Sequence, residues 1–365
     1  MTTSSPELTI STPGRVCLFG EHQDYLQLPI IAAAISRRVT IAGSKRSDTR
    51  IKIDLPDIRR QESFLLADKI PYVRERDYFR SGVNVLIRKG FSFSHGLECV
   101  LTSNIPINAG TSSSSAILVG WTNFLTRMSD QEKVLTPDEI AQIAYEAEVL
   151  EFTEPGGMMD QYSTAIGNLI WLESFPTIHV SSLSAGLKSF VLGNSQQPKD
   201  TKYVLANVKN KVLDIAKTLK NNHPEFSLQT IQSADVDRYA NDLDAVQLNL
   251  LKGTIRNRDI TYEARAVLQK EPLDHRRIGS LLTEHHSVLR DVQRLSTPKI
   301  ERMIEAALHA GAYGAKINGS GGGGCMFAYA PEHPERVREA VQSISQAVLV
   351  HVDQGTKEER TEPRL

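Results

Sequence analysis

The chain has 365 residues, 40% hydrophobic and 23% charged, which is enough for one large domain or two of ordinary size. Its 42 basic and 43 acidic residues leave a formal net charge of −1, so no overall basic field favours nucleic acid or an anionic membrane as a partner. The three cysteines are widely spaced, and neither a signal peptide nor a long apolar run is visible, so we expect a soluble, cytoplasmic protein without disulfides or structural zinc.

Several strands and one helix are predicted in the first third of the chain. Residues 14–20 form an apolar strand bounded by glycines, and a second compact apolar run covers residues 30–35. Residues 38–66 alternate polar and apolar positions, which indicates an antiparallel strand pair with one face in water. Residues 78–89 have a helical pattern, and residues 97–103 predict another strand.

The clearest helix start in the chain is Thr136, which can cap the helix, with Pro137 at its first position and Glu139 completing a capping box. Further elements are predicted downstream: strands at 168–173, 190–192 and 325–329, helical patterns over most of 201–292, and a helix starting at Thr297. The charged tail from residue 353 is expected to fray. Both halves mix strands with helices, so the class is α+β in two domains.

One stretch, residues 104–116, combines a glycine with a run of small hydroxyl residues, Gly110, Thr111, Ser112, Ser113, Ser114 and Ser115. A glycine lets the backbone approach a ligand closely. If the serines begin a helix, their free N–H groups and the helix dipole favour an anion such as phosphate. The alternative is a serine-rich turn that caps an ordinary helix, and the run by itself does not decide between the two.

A polar cluster follows the first strand. Arg15 lies on that strand, and Glu21, His22 and Asp24 occupy the turn after it. Carboxylates and an imidazole this close together can hydrogen-bond several hydroxyl groups at once, as a polyol or sugar would require. The alternative is a charged turn exposed to water.

Asp160 follows two glycines and two methionines, so its surroundings are small and then apolar. A carboxylate partly removed from water but near a cation can orient or deprotonate a hydroxyl nucleophile. Arg15 is the natural candidate for that cation, although the sequence alone does not bring the two together. The alternative is that Asp160 caps a helix.

Two further features carry weaker signals. The glycine run at 319–324 can surround an anion with N–H groups or form a flexible loop, and it matches neither a P-loop nor a dinucleotide fingerprint. The pair His285-His286 invites a metal site, but adjacent residues on a helix point in different directions, so a structural role is favoured.

Four segments, in this order, resemble the GHMP small-molecule kinases and within them the galactokinase branch. Residues 14–25 resemble G-R-V-N-L-I-G-E-H-T-D-Y, and residues 106–116 resemble the phosphate loop P-x-x-x-G-L-S-S-S-A. Residues 157–161 are similar to G-x-M-D-Q, and residues 314–325 to the closing motif G-A-x-x-T-G-A-G-x-G-G-C.

The resemblance implies ATP- and Mg²⁺-dependent phosphoryl transfer to a small hydroxyl compound. It also implies an N-terminal domain (residues 1–186) with a left-handed βαβ crossover and a ferredoxin-like C-terminal domain (residues 187–365). On the matching positions, it makes Arg15 and Asp160 catalytic. The remaining roles fall to three groups: Glu21, His22, Asp24 and Gly157 for the sugar, Gly110 and Thr111 to Ser115 for ATP, and Ser113 with Glu148 for Mg²⁺.

Departures from the galactokinase signature gather around the sugar turn. Gln23 stands in place of Thr or Asn, Leu28 in place of glycine, and Ala32 in place of proline. The resemblance therefore implies galactose or a related sugar or uronic acid, phosphorylated at its anomeric hydroxyl. Two alternatives remain, a mevalonate-kinase-like enzyme and a regulator that binds sugar and ATP without catalysis.

Overall fold

A computed structural model describes residues 6–106, 110–198 and 201–359 of the chain. Residues 107–109 of the predicted phosphate loop and the last six residues of the charged tail lie outside the described residues.

The secondary structure of the described residues is as follows. The strands are β1 (Leu8–Phe19), β2 (Ile30–Lys45), β3 (Arg50–Leu55), β4 (Arg60–Leu65), β5 (Leu97–Ser103), β6 (Leu169–Glu173), β7 (His179–Ser182), β8 (Phe190–Asn194), β9 (Gly314–Asn318), β10 (Cys325–Tyr329), β11 (Gln346–Val350) and β12 (Lys357–Glu358). The helices are α1 (Tyr78–Arg88), α2 (Ser113–Met128), α3 (Pro137–Tyr145), α4 (Met159–Ile166), α5 (Thr201–Asn222), α6 (Ala245–Leu268), α7 (His275–Asp291), α8 (Pro298–His309) and α9 (Pro334–Gln342).

The first sheet has the strand order β12-β1-β2-β5-β3-β4, and β6 and β7 extend it beside β2. Its pairs are antiparallel except for β3 and β5, which run parallel because the connection between them carries β4 and α1. Apolar side chains from this sheet and from α1 to α4 form one buried cluster. The predicted capping box of α3 is present: Glu139 N donates to Thr136 Oγ1 (3.3 Å), and Thr136 N donates to the Glu139 carboxylate (2.8 Å).

The second sheet has the order β11-β8-β10-β9 and is antiparallel throughout. Helices α5 to α8 connect β8 to β9, and α9 connects β10 to β11. This is the β-α-β-β-α-β succession of a ferredoxin-like unit. The predicted α+β class is confirmed, and so is the ferredoxin-like second half.

A second apolar cluster joins the two sheets. It contains Val16 and Phe19 from the end of β1, Trp171 from β6, and Phe190 and Phe327 from the second sheet, all fully buried. The end of β1 and the turn after it are therefore held between the two sheets, which places the polar residues of that turn in the interior.

The prediction of a frayed tail was wrong for residues 353–359. Strand β12 pairs with β1, and Asp353 forms an ion pair with Arg38 (Oδ2 to Nη1, 2.8 Å). The same guanidinium also donates to the carbonyl oxygens of Gln354 and Gly355. A charged composition indicates exposure, but here one arginine of β2 supplies the partners that order the tail.

Candidate active site

Arg15 and Asp160, which lie 145 positions apart, meet in the structure. Both Nε and Nη2 of Arg15 donate to Asp160 Oδ1, at 2.9 and 2.6 Å. Asp160 lies in the first turn of α4, whose N-cap is Met158, so the helix-cap alternative for Asp160 was wrong. Burial lowers the pKa of Arg15, but the negative charges of Asp160 and Glu21 outweigh burial and raise it. The guanidinium is therefore a fixed cation beside an aspartate that keeps some access to solvent.

The serine run begins α2, as the phosphate-binding interpretation of the sequence required. Gly110 and Ser112 have left-handed backbones (φ 83° and 57°), and the helix starts at Ser113. Arg15 N donates to Thr111 O (3.2 Å), so the loop lies directly against β1. The buried hydroxyls of Thr111 and Ser112 have no hydrogen-bond partner among the described residues. Unpaired hydroxyls at a helix N-terminus fit a bound anion.

Glu148 lies beside this helix start. It belongs to a π-helical segment, Glu146–Leu150, that continues α3, and it accepts a hydrogen bond from Gln161 Nε2 (2.6 Å). Burial and the charge of Asp160 raise the pKa of Glu148, while Gln161 and the nearby hydroxyls of Ser114 and Ser115 oppose the rise. The structure thus brings Glu148 to Ser114 and Ser115, with the partly exposed Ser113 at the first position of the same helix.

The oxygen atoms of Glu148 and of the neighbouring serines fit Mg²⁺, because the ion prefers carboxylate and hydroxyl oxygens. A cation here would also offset the burial of the Glu148 carboxylate.

Asp24 and Gly157 are packed against each other next to Asp160. The Asp24 carboxylate accepts from Tyr25 N (2.9 Å) and from Met159 N (3.2 Å). Burial, and then the charge of Asp160, raise the pKa of Asp24 to about 6. A Cβ on Gly157 would stand 2.1 Å from Asp24 Oδ2, so a side chain at position 157 would displace the carboxylate.

The other two residues of the predicted sugar turn are bound to the protein itself. Glu21 forms a buried ion pair with Lys316 of β9 (Oε2 to Nζ, 2.8 Å). His22 Nδ1 is 2.8 Å from Tyr25 Oη, and its Nε2 is 3.1 Å from Ser320 O. Because a carbonyl oxygen only accepts, Nε2 carries the proton and donates to Ser320. The structure therefore places Asp24 beside Asp160, and it places Glu21 and His22 at the junction with the second sheet.

Two residues of the site, Lys316 and Asn318, were missed in the sequence. Lys316 is fully buried and also donates to Cys17 O (2.9 Å), and Asn318 is fully buried at the end of the same strand. The sequence did contain a signal for them, because a lysine and an asparagine alternate with Ala315 and Ile317. In a buried strand such polar side chains need hydrogen-bond or ion-pair partners.

The glycine run after β9 is packed closely against its neighbours. A Cβ on Gly319 would lie 2.8 Å from Gly110 O, and one on Gly321 would lie 2.8 Å from Leu295 Cβ. Both glycines have left-handed backbones (φ 79° and 80°). The run therefore lets the end of the second sheet approach the serine-rich loop, which a chain with side chains would prevent.

The two adjacent histidines of α7 contact different neighbours, as predicted. His286 accepts from Ile317 N at Nδ1 (3.3 Å) and contacts Glu301 through Nε2 (2.9 Å), while His285 stacks on Phe19 with ring centroids 6.2 Å apart. No cluster of three or more metal-binding side chains is found within the described ranges.

None of the helices in the described part of the chain combines the length and apolar character of a membrane span.

Three family descriptions match the chain. They are "Galactokinase galactose-binding signature" over residues 2–45, "GHMP kinases N terminal domain" over residues 77–168 and "GHMP kinases C terminal" over residues 264–345.

Similar full-length proteins carry two different names. A mevalonate kinase of Thermococcus sibiricus is 28% identical over 346 residues, which cover 91% of this chain and 92% of that protein. A galactokinase of Pasteurella multocida is 28% identical over 355 residues, which cover 92% of this chain and 89% of that protein. The crystal structure of Lactococcus lactis galactokinase complexed with galactose superimposes with a TM-score of 0.85 at 20% identity, covering 96% of this chain and 94% of that one.

Proposed function

Because the chain belongs to the GHMP kinase family, we propose that it transfers the terminal phosphoryl group of ATP to the anomeric hydroxyl of galactose or of a related sugar or uronic acid. The observation that carries the proposal is the meeting of Arg15 and Asp160 beside Asp24, next to the free N-terminus of α2. A hydroxyl acceptor bound against the two aspartates would have its phosphoryl donor at that helix end.

Phosphoryl transfer requires alignment and neutralisation of charge more than covalent help from the protein. The acceptor oxygen forms a bond to the γ-phosphorus while the bond from that phosphorus to the β–γ bridging oxygen breaks, and ADP leaves. Asp160 orients the acceptor hydroxyl and receives its proton. Arg15 holds Asp160 in place and offers positive charge to the transferring group.

The nucleotide phosphates would lie against the loop from Gly110 to Ser115, where the helix start offers N–H groups and the hydroxyls of Thr111 and Ser112 have no partner among the described residues. Ser113 and Glu148 would hold Mg²⁺, with Ser114 and Ser115 close enough to share that task. The ion, when bound, neutralises phosphate charge.

Two carboxyl groups at the acceptor position favour a neutral acceptor with several hydroxyls. Asp24 accepts hydrogen bonds, and its charge is disfavoured by burial and then by Asp160. A third carboxylate next to this pair would be repelled, so a uronic acid would have to bind with its carboxylate directed away from the two aspartates.

A mevalonate-type acceptor is the second candidate, since the mevalonate kinase of Thermococcus sibiricus is as similar in sequence as the galactokinase. Lys209 of α5 also favours an acidic acceptor. Its Nζ donates to Pro155 O (3.0 Å) and lies 5.4 Å from the centre of the Tyr25 ring, which places a cation near the loop of Gly157.

A coupled assay of ADP release over galactose, galacturonic acid, other sugars and mevalonate tests the proposal. We expect sugar-dependent ADP release, and a fall in kcat of about 10²-fold or more for Asp160→Asn, because the acceptor loses the group that takes its proton. No acceptor-dependent ADP release with any compound would leave the non-catalytic regulator as the better description. Full activity of Asp160→Asn would refute the catalytic role of Asp160 while leaving the kinase assignment intact.

A further inference from the structure

Asn318 connects the second sheet to the two parts of the site that lie on the first. Its Oδ1 accepts from Cys17 N (2.9 Å), two residues from Arg15 on β1. Its Nδ2 donates to Gly110 O (2.7 Å). The side chain of Asn318 is completely buried, so water does not reach its amide group.

The carbonyl oxygen of Gly110 receives two donors. The second is Arg15 Nη1, at 2.5 Å, and together with Asn318 Nδ2 it uses both lone pairs of the oxygen. The peptide bond that follows is trans, so the N–H of Thr111 points to the side opposite this oxygen. Two side chains therefore fix which way the Gly110–Thr111 peptide faces.

Such a lock matters because the residue is a glycine. Gly110 has a φ of 83°, and glycine passes between left- and right-handed conformations at little cost. A flipped peptide would present a carbonyl dipole, instead of an N–H group, to the opposite side. Next to a phosphate, that change replaces attraction by repulsion.

We propose that Asn318 is a positioning residue that locks the Gly110–Thr111 peptide with its N–H group directed at the nucleotide phosphate. The proposal rests on the proposed function, since it requires a phosphate in this loop. Arg15 alone is a poorer lock, because the same guanidinium also serves Asp160 through Nε and Nη2.

The chemistry of the two bonds dictates the variants. A threonine hydroxyl can accept from Cys17 N and donate to Gly110 O, so Asn318→Thr keeps both functions on one atom. Asn318→Val has nearly the shape of threonine and neither function. Asn318→Asp keeps the acceptor for Cys17 N but sets an oxygen against Gly110 O.

The test is the affinity of the full-length protein for Mg-ADP, measured by isothermal titration calorimetry. We expect Asn318→Thr to bind within about threefold of the wild type, and Asn318→Val to bind about 10-fold or more weakly, since the carbonyl of Gly110 loses a buried partner. If Asn318→Val does not fold, Asn318→Asp replaces it with the same expected loss.

Asn84 provides a matched control. It is also a buried asparagine that bridges two backbone groups, since Ile70 N donates to its Oδ1 and its Nδ2 donates to Ile70 O, both at 2.8 Å. Asn84→Asp should lower the melting temperature and leave the affinity for Mg-ADP unchanged.

Equal affinities of Asn318→Thr and Asn318→Val would overturn the inference, and so would a comparable loss in Asn84→Asp, which would reduce the effect to general stability. A wild type that binds no Mg-ADP would instead overturn the proposed function, and this inference with it.

Discussion

The substitution Gly157→Ala tests the acceptor side of the site with the smallest possible change. The added Cβ would lie 2.1 Å from Asp24 Oδ2 and 2.3 Å from its Cγ. The Asp24 carboxyl must therefore retreat by about 1 Å or more to reach ordinary van der Waals separation. It then loses the hydrogen bond from Met159 N, which is already 3.2 Å long.

Hydrogen bonds to charged groups contribute about 1.5–3 kcal/mol, and each 1.4 kcal/mol corresponds to about a factor of ten. If Asp24 orients the acceptor, Gly157→Ala should lower kcat/KM for the acceptor by about 10- to 100-fold. The KM for ATP should change by less than about twofold, because the three heavy atoms nearest to the added Cβ all belong to Asp24. The assay is ADP release above pH 7, where Asp24 is ionised in the folded protein.

Gly156 is the control for this experiment. Apart from its chain neighbours, no heavy atom of the described residues lies within 4 Å of a Cβ at that position, and neither Gly156 nor Gly157 has a left-handed backbone. Gly156→Ala should therefore leave kcat/KM unchanged, with stability equal to or slightly above that of the wild type. If both alanine variants behave alike, the contact between Asp24 and Gly157 does not control acceptor binding, and the reasoning fails.

Two further predictions concern buried charges. Lys316→Met should lower the free energy of unfolding, measured by urea denaturation, by about 3–5 kcal/mol, because it leaves the buried Glu21 side chain without its ion-pair partner. Adding Glu21→Gln should restore part of that loss, and strictly additive losses of the two substitutions would contradict this reasoning. The pKa of Asp24 rises from 3.8 to about 6 on folding, so its stabilising contribution is complete below about pH 4 and is lost as the pH rises through about 6. Between about pH 4 and pH 7 the wild type should lose up to about 3 kcal/mol of stability relative to Asp24→Asn, and parallel pH profiles of the two proteins would contradict it.

Local signals in the sequence predicted local structure well. The capping box joins Thr136 and Glu139, three positions apart, and the helix at the serine run begins at Ser113, inside the predicted stretch. Both depend on chemistry between near neighbours in the chain, which the sequence displays directly.

Contacts between distant residues were less accessible. The strand β9 was not predicted, although Lys316 and Asn318 alternate with Ala315 and Ile317. The partners that allow the two polar side chains to be buried, Glu21 and Gly110, lie 295 and 208 positions away. The order of the tail likewise depends on Arg38, at a separation of 315 residues. Burial of a polar side chain is a property of the assembled fold, so periodicity along the chain does not reveal it.

These missed residues have one feature in common, which bears on how the site is built. Lys316 and Asn318 come from the second sheet, yet the groups they hold, the Glu21 carboxylate and the Gly110 carbonyl, belong to the first. His22 completes the junction from the opposite direction by donating to Ser320 O, in the glycine run. The sugar turn after β1 and the phosphate loop are thus each held by one side chain of β9. These two side chains, Lys316 and Asn318, are two positions apart on the strand. A displacement of β9 would therefore disturb both substrates at once, whereas Gly157→Ala, which acts through Asp24, would disturb the acceptor alone.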